Sequence, residues 1–199
     1  MSEVLLFHHA QGRTAGVLAF ADEIRQAGHT VHVPDLYEGQ TFDDLDAGAD
    51  YARKVGFDTI IERGLSAANA LPDRMVYAGF SLGVLPAQKL VQTRRGAAGA
   101  LLFHACVPVS EFGCCWPQDV PVQIHGMEAD KWFVDGGDLD AARELASAGS
   151  ADLFLYPGNQ HLFVDNSLPS YDQDAATLLT ERVIRFLSGV NSTLPRSFR

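Results

Sequence analysis

The chain has 199 residues, 47% hydrophobic and 20% charged, which suits one folded domain with a sizeable core and not a disordered segment. Its formal net charge of -10 argues against nucleic-acid binding, because phosphate contacts need clustered Lys and Arg. No run nears the roughly 20 apolar residues of a membrane span, the start Met1-Ser2-Glu3 has no basic leader region, and Cys106, Cys114 and Cys115 form no disulfide framework, so a reduced cytoplasmic protein is expected.

Val4 to His8 has the length and apolarity of a buried strand. Thr14 is placed to N-cap a helix whose Val17, Leu18, Ala21 and Ile24 recur at helical spacing, and Gly28 ends it. Thr30 to Val33 is a second short strand, so the first 34 residues predict a β-α-β unit of a parallel sheet. Leu36 to Gly56 is acidic and weakly patterned, a loop with a short helix. Phe57 to Ala70 reads as a helix weighted on Ile60, Ile61, Leu65 and Ala68. Met75 to Ala78 is a buried strand, and a helix runs from Val84 towards Arg94-Arg95-Gly96, whose cations suit a solvated C-terminal turn. Gly99 to Ala105 and Val120 to His125 are further strands. Asp138 is placed to cap a helix through Ala148, Asp152 to Tyr156 is the last strand, and Asp172 to Leu187 the closing helix, with a loose tail from Gly189. These elements predict a single α/β domain over residues 1–190 with a tail at 191–199. About six strands form a mostly parallel central sheet with helices on both faces.

Between the central strand and its helix lies Gly79-Phe80-Ser81-Leu82-Gly83. Gly and Ser frequencies of about 7% produce G-x-S-x-G by accident in on the order of one chain in ten of this length. The context carries more weight: strand, sharp turn and helix form a nucleophile elbow, with small residues where strand and helix approach and a serine lifted to the tip. In doubly wound sheets ligand sites lie beyond the carboxyl ends of the strands. Ser81, Asp130 and His161 follow three different strands there, in the order Ser, Asp, His of the α/β-hydrolase triad. Serine needs a general base, which His161 can supply, and a carboxylate on the far ring nitrogen fixes the tautomer. Asp130 fits that role, with Asp135 its competitor. His8 and His9 are adjacent and point to opposite strand faces, and Cys114 and Cys115 lack a second ligand pair, so no metal site is expected. No nucleotide-binding glycine motif follows the first strand, so no cofactor is expected either. His9, Phe80, Trp116, Trp132, Phe133 and Phe163 are candidate pocket residues, and the short connections leave little room for a lid.

The chain resembles the dienelactone hydrolase family over roughly residues 4 to 188. The resemblance rests on Gly12, Ala27-Gly28, Pro34-Asp35-Leu36-Tyr37, the elbow from Gly79 to Gly83, Asp130, and Tyr156-Pro157-Gly158 leading to His161-Leu162-Phe163. It implies the α/β-hydrolase fold, the triad Ser81, Asp130 and His161, and oxyanion donors at the backbone N–H groups of Leu82 and Ala10. Three positions depart from the family pattern. Ser81 stands for the type member's cysteine, His9 for the glutamate that partners its thiol, and Asp165 for an arginine associated with the lactone's carboxylate. An acid at 165 would repel anions, so a small neutral or cationic ester, thioester or lactone is the expected substrate. The expected activity is hydrolysis through an acyl-enzyme, by a monomer or small homo-oligomer. The alternatives are a thioesterase or acyltransferase using the same residues, or a silent small-molecule-binding protein of the same fold.

Overall fold

The computed structural model describes residues 1–113 and 115–192, so the expectations for Cys114 and for residues 193–199 of the tail lie outside the described residues. Six parallel strands lie in the order β2-β1-β3-β4-β5-β6. They are β1 (Glu3–Phe7), β2 (Thr30–His32), β3 (Met75–Phe80), β4 (Ala97–Phe103), β5 (Val122–Met127) and β6 (Ala151–Tyr156). The helices are α1 (Ala15–Gln26), α2 (Leu45–Val55), α3 (Phe57–Ala68), α4 (Val84–Thr93), α5 (Lys131–Val134), α6 (Asp138–Ser147) and α7 (Gln173–Ser192).

Strand alternation sorts the side chains into two cores. Leu5, Phe7, Met75 and Tyr77 face one way and pack with Ile60 of α3, Ala87 and Leu90 of α4, and Leu139 and Leu145 of α6. Val4, Leu6, Val76 and Ala78 face the other way, under Val17, Phe20 and Ile24 of α1 and Leu179, Val183 and Leu187 of α7. With both faces covered, the strands read as continuous apolar runs.

Local signals set most boundaries. Thr14 Oγ accepts the Val17 N–H at 3.3 Å and N-caps α1, while Asp44 Oδ1 accepts Ala47 N–H at 2.7 Å and caps α2. Three boundary readings are corrected. Asp138 does not cap α6; it is the first helical residue, after Gly137, and its side chain turns elsewhere. The closing helix runs past Gly189 to Ser192, beyond the expected end at Leu187. Arg94 is not a solvated cation: its guanidinium donates to the carbonyls of Ala68 (2.7 Å) and Leu71 (3.0 Å), tying the end of α4 to the end of α3.

The strand order places the site. From β1 the chain moves outward to β2, then returns to β3 on the other side of β1. Loops leave the β1 and β3 carboxyl ends in opposite directions, opening a crevice between them. Phe7 pairs with Gly79 across this point, so the residues after Phe7 and after Phe80 flank one opening.

Candidate active site

Ser81 sits at the tip of the turn from β3 into α4 with φ +48°, a left-handed value that non-glycine residues adopt only under constraint. The neighbouring glycines explain how the turn closes. A Cβ on Gly79 would overlap the Gly83 carbonyl oxygen, and one on Gly83 would lie 2.5 Å from Phe7 O. Strand and helix thus approach backbone to backbone, and Ser81 is pushed above the sheet edge.

His161, from the loop after β6, reaches Ser81 Oγ with Nε2 at 2.9 Å. Its Nδ1 lies 2.6 Å from Asp130 Oδ2, the other Asp130 oxygen accepting the Trp132 N–H at 3.0 Å. Asp130 is fully buried and N-caps the four-residue helix α5, which aims its carboxylate. Asp130, not Asp135, meets His161; Asp135 lies at the exposed C-terminal end of α5. The His161 ring lies between Trp132 (centroids 6.0 Å apart) and His104 (5.6 Å).

Two cavities meet at this triplet. One, of about 250 Å³, is lined by Ser81, Leu82 and Ala10, with apolar walls from Leu45 and Ala49 of α2, Phe57, Val84, Leu85 and Trp132. The other, of about 430 Å³, is lined by His161, Asp130, Gln11, Asp43, Asp44 and Lys131, with Leu45 and Trp132 shared between the two. The acidic stretch before α3 therefore supplies a wall to both. Phe42 N–H donates to Gln11 O and Gln11 Nε2 donates to Phe42 O, both near 3 Å, which holds the Ala10 loop against it.

The other aromatic pocket candidates are placed differently. Trp132 is 44% exposed and lines both cavities, but Phe80, Trp116, Phe133 and Phe163 are core. Phe80 stacks on Phe103 (4.8 Å), Phe133 packs over Gly126, Phe163 meets His104 edge-on, and Trp116 donates its indole N–H to Val120 O at 2.7 Å. Aromatic rings bury the largest areas, and a sheet with two covered faces takes them first.

His9 is also buried and belongs to neither cavity wall. Its Nδ1 accepts Gln11 N–H at 3.2 Å, leaving Nε2–H to donate to Asp165 Oδ2 at 2.8 Å. Thr14 Oγ also donates to that oxygen, and Ser167 donates N–H and O–H to Oδ1 at 2.9 and 2.6 Å. Asp165 is only 5% exposed and lies over Gly16, in the first turn of α1. The expectation that it repels anionic substrates is therefore corrected, because its charge is spent inside the protein. Two of the three positions that depart from the dienelactone hydrolase pattern, 9 and 165, are partners of one another. Burial keeps His9 neutral against the pull of Asp165; burial also raises the Asp165 carboxyl, but the bonds from His9, Ser167 and Thr14 outweigh it and hold it below its ordinary range. Asp165→Ala would strand several buried donors, so urea unfolding should show a loss of about 3 kcal/mol or more. A loss under about 1 kcal/mol would mean the cluster does not anchor these loops.

Two residues near the site escaped the sequence reading. Asp138 lines the smaller cavity with Ser81, although its position suggested a cap. His104, just after β4, is fully buried with φ +64°, and neither ring nitrogen has a partner among the described residues. It stands at the carboxyl end of its strand, as Ser81 does at the end of β3, and that position was the signal that could have found it. The Cys106 thiol is buried and pushed up to about 12 by burial first and the Asp138 charge second, so it stays protonated and unreactive.

The profile of the dienelactone hydrolase family matches residues 1–190. The chain belongs to that family. Its solved structural neighbours share the α/β-hydrolase fold at low identity. A provisionally named dienelactone hydrolase of Klebsiella pneumoniae superposes with a TM-score of 0.73 at 17% identity, covering 94% of this chain and 87% of that one. A dienelactone hydrolase-like promiscuous phosphotriesterase from metagenomic libraries gives 0.71 at 17%, covering 96% and 87%. Thermogutta terrifontis esterase 2, phosphonylated by cyclosarin, gives 0.69 at 16%, covering 98% and 85%. No curated protein sequence matches the chain significantly. Among the described residues, no helix is long and apolar enough to cross a membrane and no group of three His, Cys, Asp or Glu side chains is arranged to hold a metal ion.

Proposed function

We propose that this member of the family is a serine hydrolase that cleaves a small carboxylic ester or lactone through an acyl-enzyme. The observation that carries the reading is the unbroken relay from Ser81 Oγ through His161 to buried Asp130, at 2.9 and 2.6 Å. In this reading Ser81 Oγ attacks the acyl carbon and its proton passes to His161 Nε2, while Asp130 holds the tautomer and stabilises the imidazolium. The N–H groups of Ala10 and Leu82, whose residues line the cavity beside Ser81, receive the carbonyl oxygen as it becomes negative. Collapse breaks the bond to the alcohol oxygen, which takes the proton from Nε2. Water then repeats the sequence, with His161 as base, and releases the acid.

The cavities divide the substrate. The smaller, mostly apolar one beside Ser81 suits a short acyl group. The larger one beside His161 suits the alcohol, and its exposed acids, Asp43 and Asp44 against Lys131, favour a neutral or cationic group. Charge selection thus comes from these acids, not from Asp165. A fluorophosphonate probe should label Ser81 stoichiometrically in folded protein and leave Ser81→Ala unlabelled. Absence of labelling, with short-chain p-nitrophenyl esters left intact, would overturn the reading. The phosphonylated state of the Thermogutta esterase makes this a natural probe for the fold.

A further inference from the structure

We infer that Asp138 is a specificity-determining residue for the acyl group, and that the preferred acyl chain carries a hydroxyl whose hydrogen bond Asp138 accepts. The inference rests on Ser81 being the nucleophile, because that identifies the smaller cavity as the acyl side. Two charged side chains, Arg53 and Asp138, line that cavity amid otherwise apolar walls. They are not equivalent. The Arg53 side chain is 57% exposed and paired with Asp50, one turn back on α2, so it belongs to the mouth. Asp138 is half-buried, at the first position of α6, and has no basic partner among the described ion pairs.

The Asp138 carboxyl is raised to about 6, by burial first and then by the Asp130 charge, although the Cys106 backbone N–H supports it. A carboxylate can accept about four hydrogen bonds, so this one has capacity left towards the cavity. An acyl chain ending in methyl would cover it without a partner, at a cost in binding. A hydroxyl in the same place supplies the missing donor. A second carboxylate on the chain would face Asp138 and be rejected.

The test uses isosteric pairs: ethyl 3-methylbutanoate against ethyl 3-hydroxybutanoate, and the corresponding 4-substituted pair one carbon longer. Turnover is followed by acid release in the wild type, Asp138→Asn and Asp138→Leu. Binding of the intact esters to Ser81→Ala, with and without Asp138→Leu, is read by quenching of Trp132. At one chain length the wild type should prefer the hydroxyl ester about tenfold or more in kcat/KM. Asp138→Leu should reverse that preference. Asp138→Asn, which keeps an acceptor oxygen and is the variant to rely on if the leucine protein does not fold, should retain a reduced preference. A hydroxyl-to-methyl ratio equal in wild type and Asp138→Leu, or no hydroxyl preference at either length, would overturn the inference. Hydroxyl-selective binding to Ser81→Ala without any turnover by the wild type would count against the hydrolase reading while supporting the role of Asp138. Turnover without selective binding would do the reverse.

Discussion

Ser81→Ala is expected to lower kcat for a short-chain ester by about 10⁵- to 10⁶-fold, and adding His161→Ala should cost almost nothing more. The expectation comes from how the relay is built. Ser81 Oγ and His161 Nε2 are 2.9 Å apart, and in the proposed mechanism the proton leaves as the carbon–oxygen bond forms, so either residue alone would do nothing for that step. Side chains that act as one unit lose their whole contribution when any is removed, and the losses do not add. Asp130→Asn keeps the shape but turns an N–H towards Nδ1, favouring the wrong tautomer, and should cost about 10⁴-fold. A residual rate of about 10³-fold over water should survive in every variant, owing to the N–H groups near Ala10 and Leu82. Steady-state kinetics on the single and double variants checks this. Multiplying losses would show that Ser81 and His161 act separately, and an active Ser81→Ala would remove the serine from the mechanism.

The second large effect is on stability. Conformational stability should be flat above about pH 6.5 and fall by several kcal/mol between pH 6.5 and 4. The cause is a set of buried neutral imidazoles. Burial lowers His8 to about 4, although its bond to the His9 carbonyl opposes this, and lowers His125 to about 3, aided by Arg182. His9 and His104 are lowered for the same first reason. His8 has no free lone pair for another proton: Nδ1–H donates to His9 O and Nε2 accepts the Leu36 N–H. Below pH 6.5 the unfolded chain takes up protons that the folded chain refuses, so unfolding becomes easier as pH falls. For His8 alone the shift from 6.5 to about 4 amounts to roughly 3 kcal/mol by pH 4. Asp138 has the opposite sign: with its carboxyl at about 6, the folded state takes the proton first between pH 6 and 3.8, offsetting part of the loss. Asp35 and Asp165, both lowered, lose their contributions only as pH falls below the unfolded carboxylate value. Urea unfolding at pH 8, 6.5, 5 and 4 reads the curve. An unchanged midpoint from pH 6.5 to 4 would mean these imidazoles are solvated in the folded state.

The two effects share an origin. The loops that carry the site leave a sheet whose strand ends are packed with His8 against Tyr37 and with His9, His104 and His125 among Phe80, Phe103 and Phe163. Neutral imidazoles can fill space between aromatic rings while offering polar atoms to the loops, and a proton on any of them would be unsolvated. The rigidity that holds His161 against Ser81 is therefore expected to weaken in acid.

The strands, most helices, the sharp turn at Ser81 and the meeting of Ser81, Asp130 and His161 at one sheet edge were legible in the sequence because their signals are local. Apolar runs mark buried parallel strands, Thr14 and the glycines mark turns, and the rule that sites gather beyond strand ends brings Ser81, Asp130 and His161 to one edge. Tertiary structure alone decided where single side chains point. Asp165 looked like a substrate-facing acid by its distance from His161, yet it turns under α1 to meet His9, 156 residues away. Asp138 looked like a helix cap, yet the cap position passed to Gly137 and Asp138 lines the cavity beside Ser81. The aromatic residues near the triad looked like pocket walls, and all but Trp132 went into the core. A side chain's direction depends on the hydrogen bonds and free volume offered by segments far along the chain, and neither is encoded in its own neighbourhood.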